Sequence, residues 1–245
     1  MVSAEERESL LSQGEQEYDE AVHQLERQEF ELALEHFDLA EQAFQQLQDQ
    51  HWLTFLYHEK FRIFKQAEKP DQALELVDSI VEGYLDTQNR HGLALIHIHK
   101  ADLLGDKGDV EEALACLRSA EAIIESEKIY DLKSYLYSSL AVVLMMIEDY
   151  ISAIDYFNQA MKVYSTESNS VEVAWCLHQL GLCYQKLFDL NAAERHLAGA
   201  YQSYFKAGDN EAGKEVIEDL KKLYASSNQS DKISELEMIG KQKRF

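Results

Sequence analysis

Five alanines recur along the chain at a spacing of forty residues, with no insertion between them: Ala33, Ala73, Ala113, Ala153 and Ala193. Apolar or small side chains follow each alanine at offsets of 4, 7 and 11 residues, as Phe157, Ala160 and Tyr164 follow Ala153. Side chains at these offsets lie on one face of an α-helix. The spacing therefore predicts one amphipathic helix per repeat, and a fixed period of this kind is typical of helical-repeat proteins.

A second helix is predicted before each of these helices. Small side chains predominate twelve residues before the alanine, and large apolar ones nine residues before it. Small residues at a crossing point allow two helices to pack closely. The connecting segments are short, as in "GDKGDV" from 105 to 110, and the single proline in 245 residues favours long helices. The repeat unit is therefore expected to be a pair of antiparallel helices.

The pattern resembles the tetratricopeptide repeat, and the last unit carries the resemblance most clearly. There "LGLCY" ends at Tyr184, and Ala193, Leu197 and Ala200 follow it. These positions match the small–aromatic–alanine–large–alanine spacing of that family. The second repeat departs from the pattern, because Phe61 replaces a small residue.

The forty-residue period exceeds the usual thirty-four residues of this family. It is similar to the longer-helix branch found in kinesin light chains and in bacterial peptide-sensing regulators of the Rap type. The resemblance implies an all-α fold, a right-handed superhelical solenoid of about six antiparallel helix pairs. One domain is expected over residues 1–245, with repeats centred on the five alanines and a degenerate capping pair at 210–240.

The chain carries 45 acidic and 23 basic side chains, which give a formal net charge of −22. Such a surface repels phosphate backbones and anionic lipids, which argues against nucleic acid and membrane surfaces as partners. A protein or peptide that is basic and partly apolar is the expected partner, and the oligomeric state stays open. The first residues lack a signal-peptide pattern and the three cysteines form no disulfide framework, so a cytoplasmic location is expected.

Two cysteines and two histidines fall between Cys176 and His196, as four metal ligands would. The preceding repeat carries Leu136 in place of Cys176 and Val143 in place of Cys183. Seven residues of helix rise by about 10.5 Å, which is too far for two thiolates on one zinc ion. Buried, hydrophobic cysteines are therefore expected. The chain also lacks phosphate-loop, nucleophile-elbow and zinc-protease motifs, so we expect no metal, no cofactor and no enzymatic activity.

The first helix of each pair lines the inner face of a repeat solenoid. The family resemblance implies that the positions eighteen, fifteen, fourteen and eleven residues before each alanine point inward. They hold an aromatic and aliphatic ridge beside polar and titratable side chains. The predicted partner-binding residues are Phe55, His58, Arg62, Leu95, His99, Asp102, Tyr135, Ser138, Val142, Trp175, His178, Gln179 and Leu182.

Two interpretations of these residues stay open at the level of sequence. If the ridge is exposed, it supplies contact area, and the polar row hydrogen-bonds an extended peptide. Alternatively, the long first helices use the same side chains to pack against the next repeat. The predicted function is a non-enzymatic scaffold or sensor that binds a partner segment in its concave groove. The alternative is a structural adaptor subunit of a larger assembly that uses its convex face or edges.

Overall fold

The computed structural model describes residues 3–166, 168–227, 229, 231–233 and 236. These residues form eleven α-helices and one 3-10 turn, and they contain no strand. The helices are α1 (Ala4–Glu26), α2 (Phe30–Leu47), α3 (Gln50–Gln66), α4 (Pro70–Asp86), α5 (Arg90–Lys107), α6 (Val110–Glu127), α7 (Lys133–Met146), α8 (Tyr150–Thr166), α9 (Ser170–Lys186), α10 (Leu190–Ala207) and α11 (Asn210–Ser226), with the 3-10 turn at Tyr130–Leu132. The predicted all-helical repeat is confirmed.

The chain forms two compact units, residues 1–103 and residues 104–245, with their boundary inside α5. The first unit contains α1 to α4 and most of α5, and the second contains α6 to α11. A single domain over 1–245 stays a prediction. Of the capping pair predicted at 210–240, α11 is the first helix, and most of the chain from residue 234 lies outside the described residues.

The repeat alanines form the centre of each helix pair. All five have 0% of their surface exposed, and so do the large residues four positions later, such as Phe37 and Phe157. At Gly181, which pairs with Ala193 in the last repeat, an added Cβ would lie 2.6 Å from the Cγ of Leu197. The helices therefore cross where the sequence has its smallest side chains, as expected from the repeat pattern.

The turns between helices recur every twenty residues, half of the sequence period. Each contains one residue with a left-handed backbone, and eight of these ten residues are not glycine: Gln28, Gln48, Glu68, Gln88, Gly108, Lys128, Glu148, Ser168, Phe188 and Gly208. The next residue is often an aspartate or asparagine whose side-chain oxygen accepts a hydrogen bond from the backbone N–H three positions on, as at Asp49, Asn89, Asp149, Asp189 and Asp209. Such a cap satisfies a helical N–H that has no partner within the helix.

Candidate functional site

A cavity of about 320 Å³ opens beside the start of α3, within the first unit. Phe55, His58 and Glu59 line it from α3, where their spacing of i, i+3 and i+4 puts them on one helix face. Tyr84 and Asn89 line it from the last turn of α4 and the turn that follows. Because α3 and α4 are antiparallel, the beginning of one lies beside the end of the other. Three side chains of α3 are thereby brought together with the C-terminal end of α4.

Phe55 belongs to an aromatic cluster and is nevertheless 41% exposed. Its ring centroid lies 5.5 Å from that of Tyr18 and 6.0 Å from that of Trp52, and Trp52 stacks on Phe44 at 4.8 Å. A second hollow of about 340 Å³ is lined by His51, Trp52 and Phe55. The ring of Phe55 therefore stands between two hollows, fixed by its neighbours and open to solvent.

Glu59 supplies a negative charge to this region, with 13% of its side chain exposed. Arg62 Nη1 donates to both Glu59 oxygens, at 3.1 and 2.9 Å. Burial alone would raise the pKa of Glu59, but hydrogen bonds from His58 and Arg62 lower it below the ordinary glutamate value. The pKa values of Tyr18 and Tyr84 are both raised, first by burial and then by the charge of Glu59. Glu59 is therefore an ionised carboxylate close to two phenol rings.

His99 and Asp102 of α5 approach α3 through Lys65. Lys65 Nζ lies 2.8 Å from His99 Nδ1 and 3.6 Å from Asp102 Oδ2, and the His99 ring lies 5.8 Å from that of Phe61. Burial, followed by the charge of Lys65, lowers the pKa of His99 to about 3. His99 is consequently neutral at pH 7, and its Nδ1 accepts a hydrogen bond from the lysine. Leu95, one turn earlier on α5, is half-buried.

The predicted residues of the second unit are less accessible. Ser138 and His178 are buried, at 6% and 7% exposure. His178 Nε2 lies 2.8 Å from Asp219 Oδ2 on α11, and the Trp175 ring meets that of Phe157 edge-on at 5.6 Å. These contacts join neighbouring helix pairs. The half-buried members of this set are Tyr135, Val142, Trp175, Gln179 and Leu182. That these seven predicted residues of the second unit bind a partner stays a prediction.

Several residues at the cavity were not among those expected from the sequence. His51 precedes Thr54, Phe55 and His58 at helical spacing, so extending that face by one turn would have found it. Tyr84 lies eleven residues after its repeat alanine, and the equivalent residues of the other four repeats are buried in the core. Nothing in the sequence distinguishes Tyr84 from these core residues. Its half-buried position follows from its place in the last turn of α4, beside the cavity.

Cys176 and Cys183 are both fully buried, as expected, and burial raises the pKa of each thiol to about 12. Thiols with such pKa values are protonated at pH 7 and are poor nucleophiles and metal ligands. Across the described part of the chain, no three histidine, cysteine or carboxylate side chains are grouped as metal ligands would be. Nor does a helix within the described ranges have the length and apolar character needed to cross a bilayer.

Comparison with known proteins places this architecture in a class. Residues 132–212 match the family model of the tetratricopeptide repeat, which confirms the resemblance seen in the sequence. No curated protein matches the chain in sequence. The molecule is thus a helical-repeat protein, and residues 132–212 are the part of it that matches the tetratricopeptide repeat.

Solved structures of the same fold come from several proteins. Aspartyl phosphate phosphatase F from Bacillus subtilis superimposes with a TM-score of 0.73 at 16% identity, covering 96% of this chain and 71% of that one. A Rap protein complexed with competence and sporulation factor gives 0.64 at 15% identity, covering 90% and 67%. Kinesin light chain TPR-like repeats from Podosopora anserina give 0.62 at 17%, covering 79% and 95%. At these identities the similarity shows the fold alone.

Proposed function

We propose that the chain is a non-enzymatic scaffold or sensor that binds a segment of a partner protein or peptide on the face of its first helices. The observation that carries this proposal is the exposed ring of Phe55, which other rings hold in place between two hollows. Aromatic side chains anchored in this way supply much of the free energy of binding at protein interfaces. The similar Rap protein complexed with a factor supports the same use of the fold.

The partner segment is basic and partly apolar in this proposal. A net charge of −22 attracts cationic partners, which raises the association rate and makes it sensitive to salt. The exposed ring of Phe55 calls for an apolar side chain in the partner. A cytoplasmic location is consistent with three free cysteines, since free thiols are typical of reducing compartments.

The test uses peptides selected on the intact chain from a random display library, followed by calorimetry with the enriched peptide. Phe55→Ala should weaken binding by about tenfold or more, as loss of an aromatic anchor typically does. Leu39→Ala is the matched control, because Leu39 on α2 is also 41% exposed and lines neither hollow. Its binding should equal that of the wild type.

Melting temperatures establish first that both variants fold. A folded Phe55→Ala variant that binds as tightly as Leu39→Ala would exclude the face beside Phe55. Failure to enrich any basic and apolar peptide would exclude the proposed partner chemistry.

The second candidate, an adaptor that binds through an edge, is favoured by exposed apolar side chains in two turns of the second unit. Met146 and Ile147 before α8 are 44% and 49% exposed, and Ile151 in its first turn is 68% exposed. In the next repeat, Leu187 is 40% and Phe188 is 88% exposed. Because α7 and α9 run in the same direction, these two turns lie at the same end of their helices. Large apolar side chains exposed in this number are typical of interaction surfaces.

The earlier repeats show that the fold does not need these side chains. The positions equivalent to Phe188 hold Gln28, Glu68 and Gly108. A photo-crosslinking amino acid at position 55, 188 or 39, introduced into the intact chain, would separate the candidates. Crosslinks to a partner from position 55 alone support binding on the face of the first helices. Crosslinks from position 188 alone support the adaptor function and exclude the first proposal. Position 39 reports background.

A further inference from the structure

We propose that the cavity between α3 and the end of α4 takes a basic side chain of the partner, an arginine or a lysine. This inference rests on the proposed function and names the residue class that its site selects. The cavity, at about 320 Å³, is at the small end of the range for ligand pockets, about 300–1,000 Å³. It is therefore a site for one side chain rather than for a folded surface.

Rings form part of the cavity walls. The ring centroids of His58 and Tyr84 are 6.2 Å apart, and Phe55 lines the same space with its exposed ring. The faces of phenylalanine and tyrosine rings attract a cation within about 6 Å, and all of these rings can cover the aliphatic stem that carries it. An arginine side chain uses both properties, because its planar guanidinium stacks on rings while its stem is apolar.

The hydroxyl protons of two threonines and the amide oxygen of an asparagine along the walls already have partners within the protein. Thr54 Oγ1 donates to the carbonyl oxygen of Gln50 at 2.7 Å, and Thr87 Oγ1 donates to that of Gly83 at 2.8 Å. The amide oxygen of Asn89 accepts from a backbone N–H at 2.8 Å. Among the side chains that line the cavity, the carboxylate of Glu59 carries the negative charge. It favours a cation and repels an anion.

Arg62 shows that Glu59 accepts a guanidinium. Its Nη1 bonds to both carboxylate oxygens, yet 64% of the Arg62 side chain is exposed, so this partner approaches from solvent. A carboxylate offers about four lone-pair positions, which leaves room for a further donor beside Arg62 and His58. A partner arginine would share Glu59 with Arg62 or displace it. Removing Arg62 should therefore strengthen binding of the ligand.

A neutral apolar side chain fits the cavity less well. It would cover Glu59, which is already largely buried, without replacing the water that the carboxylate loses. Removing water from a charged group without supplying a hydrogen bond in its place is costly, even where the group keeps other partners. The expected discrimination is between a guanidinium and an uncharged group of the same shape.

The experiment compares N-acetylarginine amide with N-acetylcitrulline amide, its neutral isostere, on the intact chain. Trp52 reports binding, since it lines the adjacent hollow and lies 6.0 Å from Phe55. A Trp175→Phe background leaves Trp52 as the sole tryptophan, because the sequence contains two. We expect a saturable change in fluorescence with the arginine probe, and at least about tenfold weaker binding of the citrulline probe, as is typical when a charged hydrogen bond is lost.

Three variants connect this discrimination to the cavity. Glu59→Gln should reduce the affinity for the arginine probe to that for citrulline. The matched control Glu75→Gln removes the same charge from an exposed position on α4 outside the cavity, and it should retain the preference. Arg62→Ala should raise the affinity for the arginine probe several-fold.

Equal affinities of the arginine and citrulline probes for protein with an unchanged cavity would overturn the inference. This result does not depend on the folding of any cavity variant. An unchanged preference in a folded Glu59→Gln variant would also overturn it. Should the probes fail while Phe55→Ala still weakens the library peptide, the proposed function stands and only the assignment of a basic side chain falls.

Discussion

Lys60 of α3 is a charged side chain that the first unit buries, with 7% of it exposed. Its Nζ donates to Asp38 Oδ1 at 2.6 Å and also to Glu41, both on α2. The hydroxyl of Tyr57 donates to the same glutamate at 3.1 Å. The repeat supplies a natural comparison, because Lys100 and Asp78 occupy the equivalent positions forty residues later, with 3.4 Å between Nζ and Oδ1 and with Asp78 89% exposed.

Lys60→Met should lower the free energy of unfolding more than Lys100→Met does. Loss of one partner of a buried pair costs about 3–5 kcal/mol, but Asp38 is 63% exposed and regains water, so we expect about 1–3 kcal/mol. Lys100→Met should cost about 0–1 kcal/mol, as exposed pairs do. Urea denaturation of both variants measures the difference. Equal losses would mean that the burial of Lys60 contributes nothing to the pair.

The contribution of Lys60 should disappear at high pH. Burial alone would lower the pKa of Lys60, but the hydrogen bonds to Asp38 and Glu41 raise it above the ordinary value of 10.5. Because the folded protein holds this proton more tightly, the stabilisation is complete below pH 10.5 and is lost as the pH rises through the folded-state value. The stability difference between wild type and Lys60→Met should therefore shrink in strongly alkaline buffer. A difference that stays constant would argue against the ion pair as its source.

At the scale of secondary structure, the left-handed residues of the turns define the ends of the helices. Gly208 adopts φ = +80°, and a Cβ added there meets no atom within 4 Å. Gly208→Ala therefore tests backbone conformation without steric overlap. It should lower the free energy of unfolding by about 1 kcal/mol, because a side chain disfavours this region of φ and ψ.

The reverse change should stabilise the protein. Glu148 has φ = +61° in an equivalent turn and is exposed. Glu148→Gly should raise the free energy of unfolding by about 0.5–1 kcal/mol, the usual preference for glycine at the end of a helix. Chemical denaturation of Gly208→Ala and Glu148→Gly should thus give shifts of opposite sign. Two shifts of the same sign would show that the turns are not limited by their backbone conformation.

The helix crossings set a second limit at this scale. Ala153 on α8 is fully buried against α7 and α9, in a cluster with Phe157 and Cys183. Ala153→Leu should cost about 1–3 kcal/mol by overpacking. Ala115→Leu, the same change at an exposed position on α6, should stay within about 0.5 kcal/mol. Equal melting temperatures of the two variants would mean that Ala153 does not lie at a tight helix crossing.

At the scale of the whole molecule, the charge of −22 opposes folding through repulsion between like charges. Raising the salt concentration from about 0.01 M to about 0.15 M shortens the screening length from about 30 Å to about 8 Å. The melting temperature should therefore rise with sodium chloride over this range. A fall instead would show that attractive ion pairs such as Lys60–Asp38 outweigh the general repulsion.

The one-dimensional pattern was sufficient to predict which face of each helix is buried. The five alanines, the large residues that follow them and the two cysteines of α9 all lie in the core, because helical periodicity determines which side chains point the same way. The twenty-residue recurrence of the turns was also present in the sequence, in the aspartates and asparagines that cap helices such as α3 and α10. Only two of the ten left-handed residues are glycines, so the usual signal of such a turn was mostly absent.

Only the tertiary structure decided how the predicted binding face divides into open and packed parts. Phe55 and His178 lie eighteen and fifteen residues before the alanines of their repeats, both at positions expected to point inward, yet Phe55 is 41% exposed and His178 is 7% exposed. His178 hydrogen-bonds to Asp219 of α11, forty-one residues further along the chain. The cavity likewise needs Tyr84, which a different helix brings beside Phe55. A period determines which way a side chain points from its own helix, whereas exposure, ion pairs and cavities depend on distances to side chains of other helices.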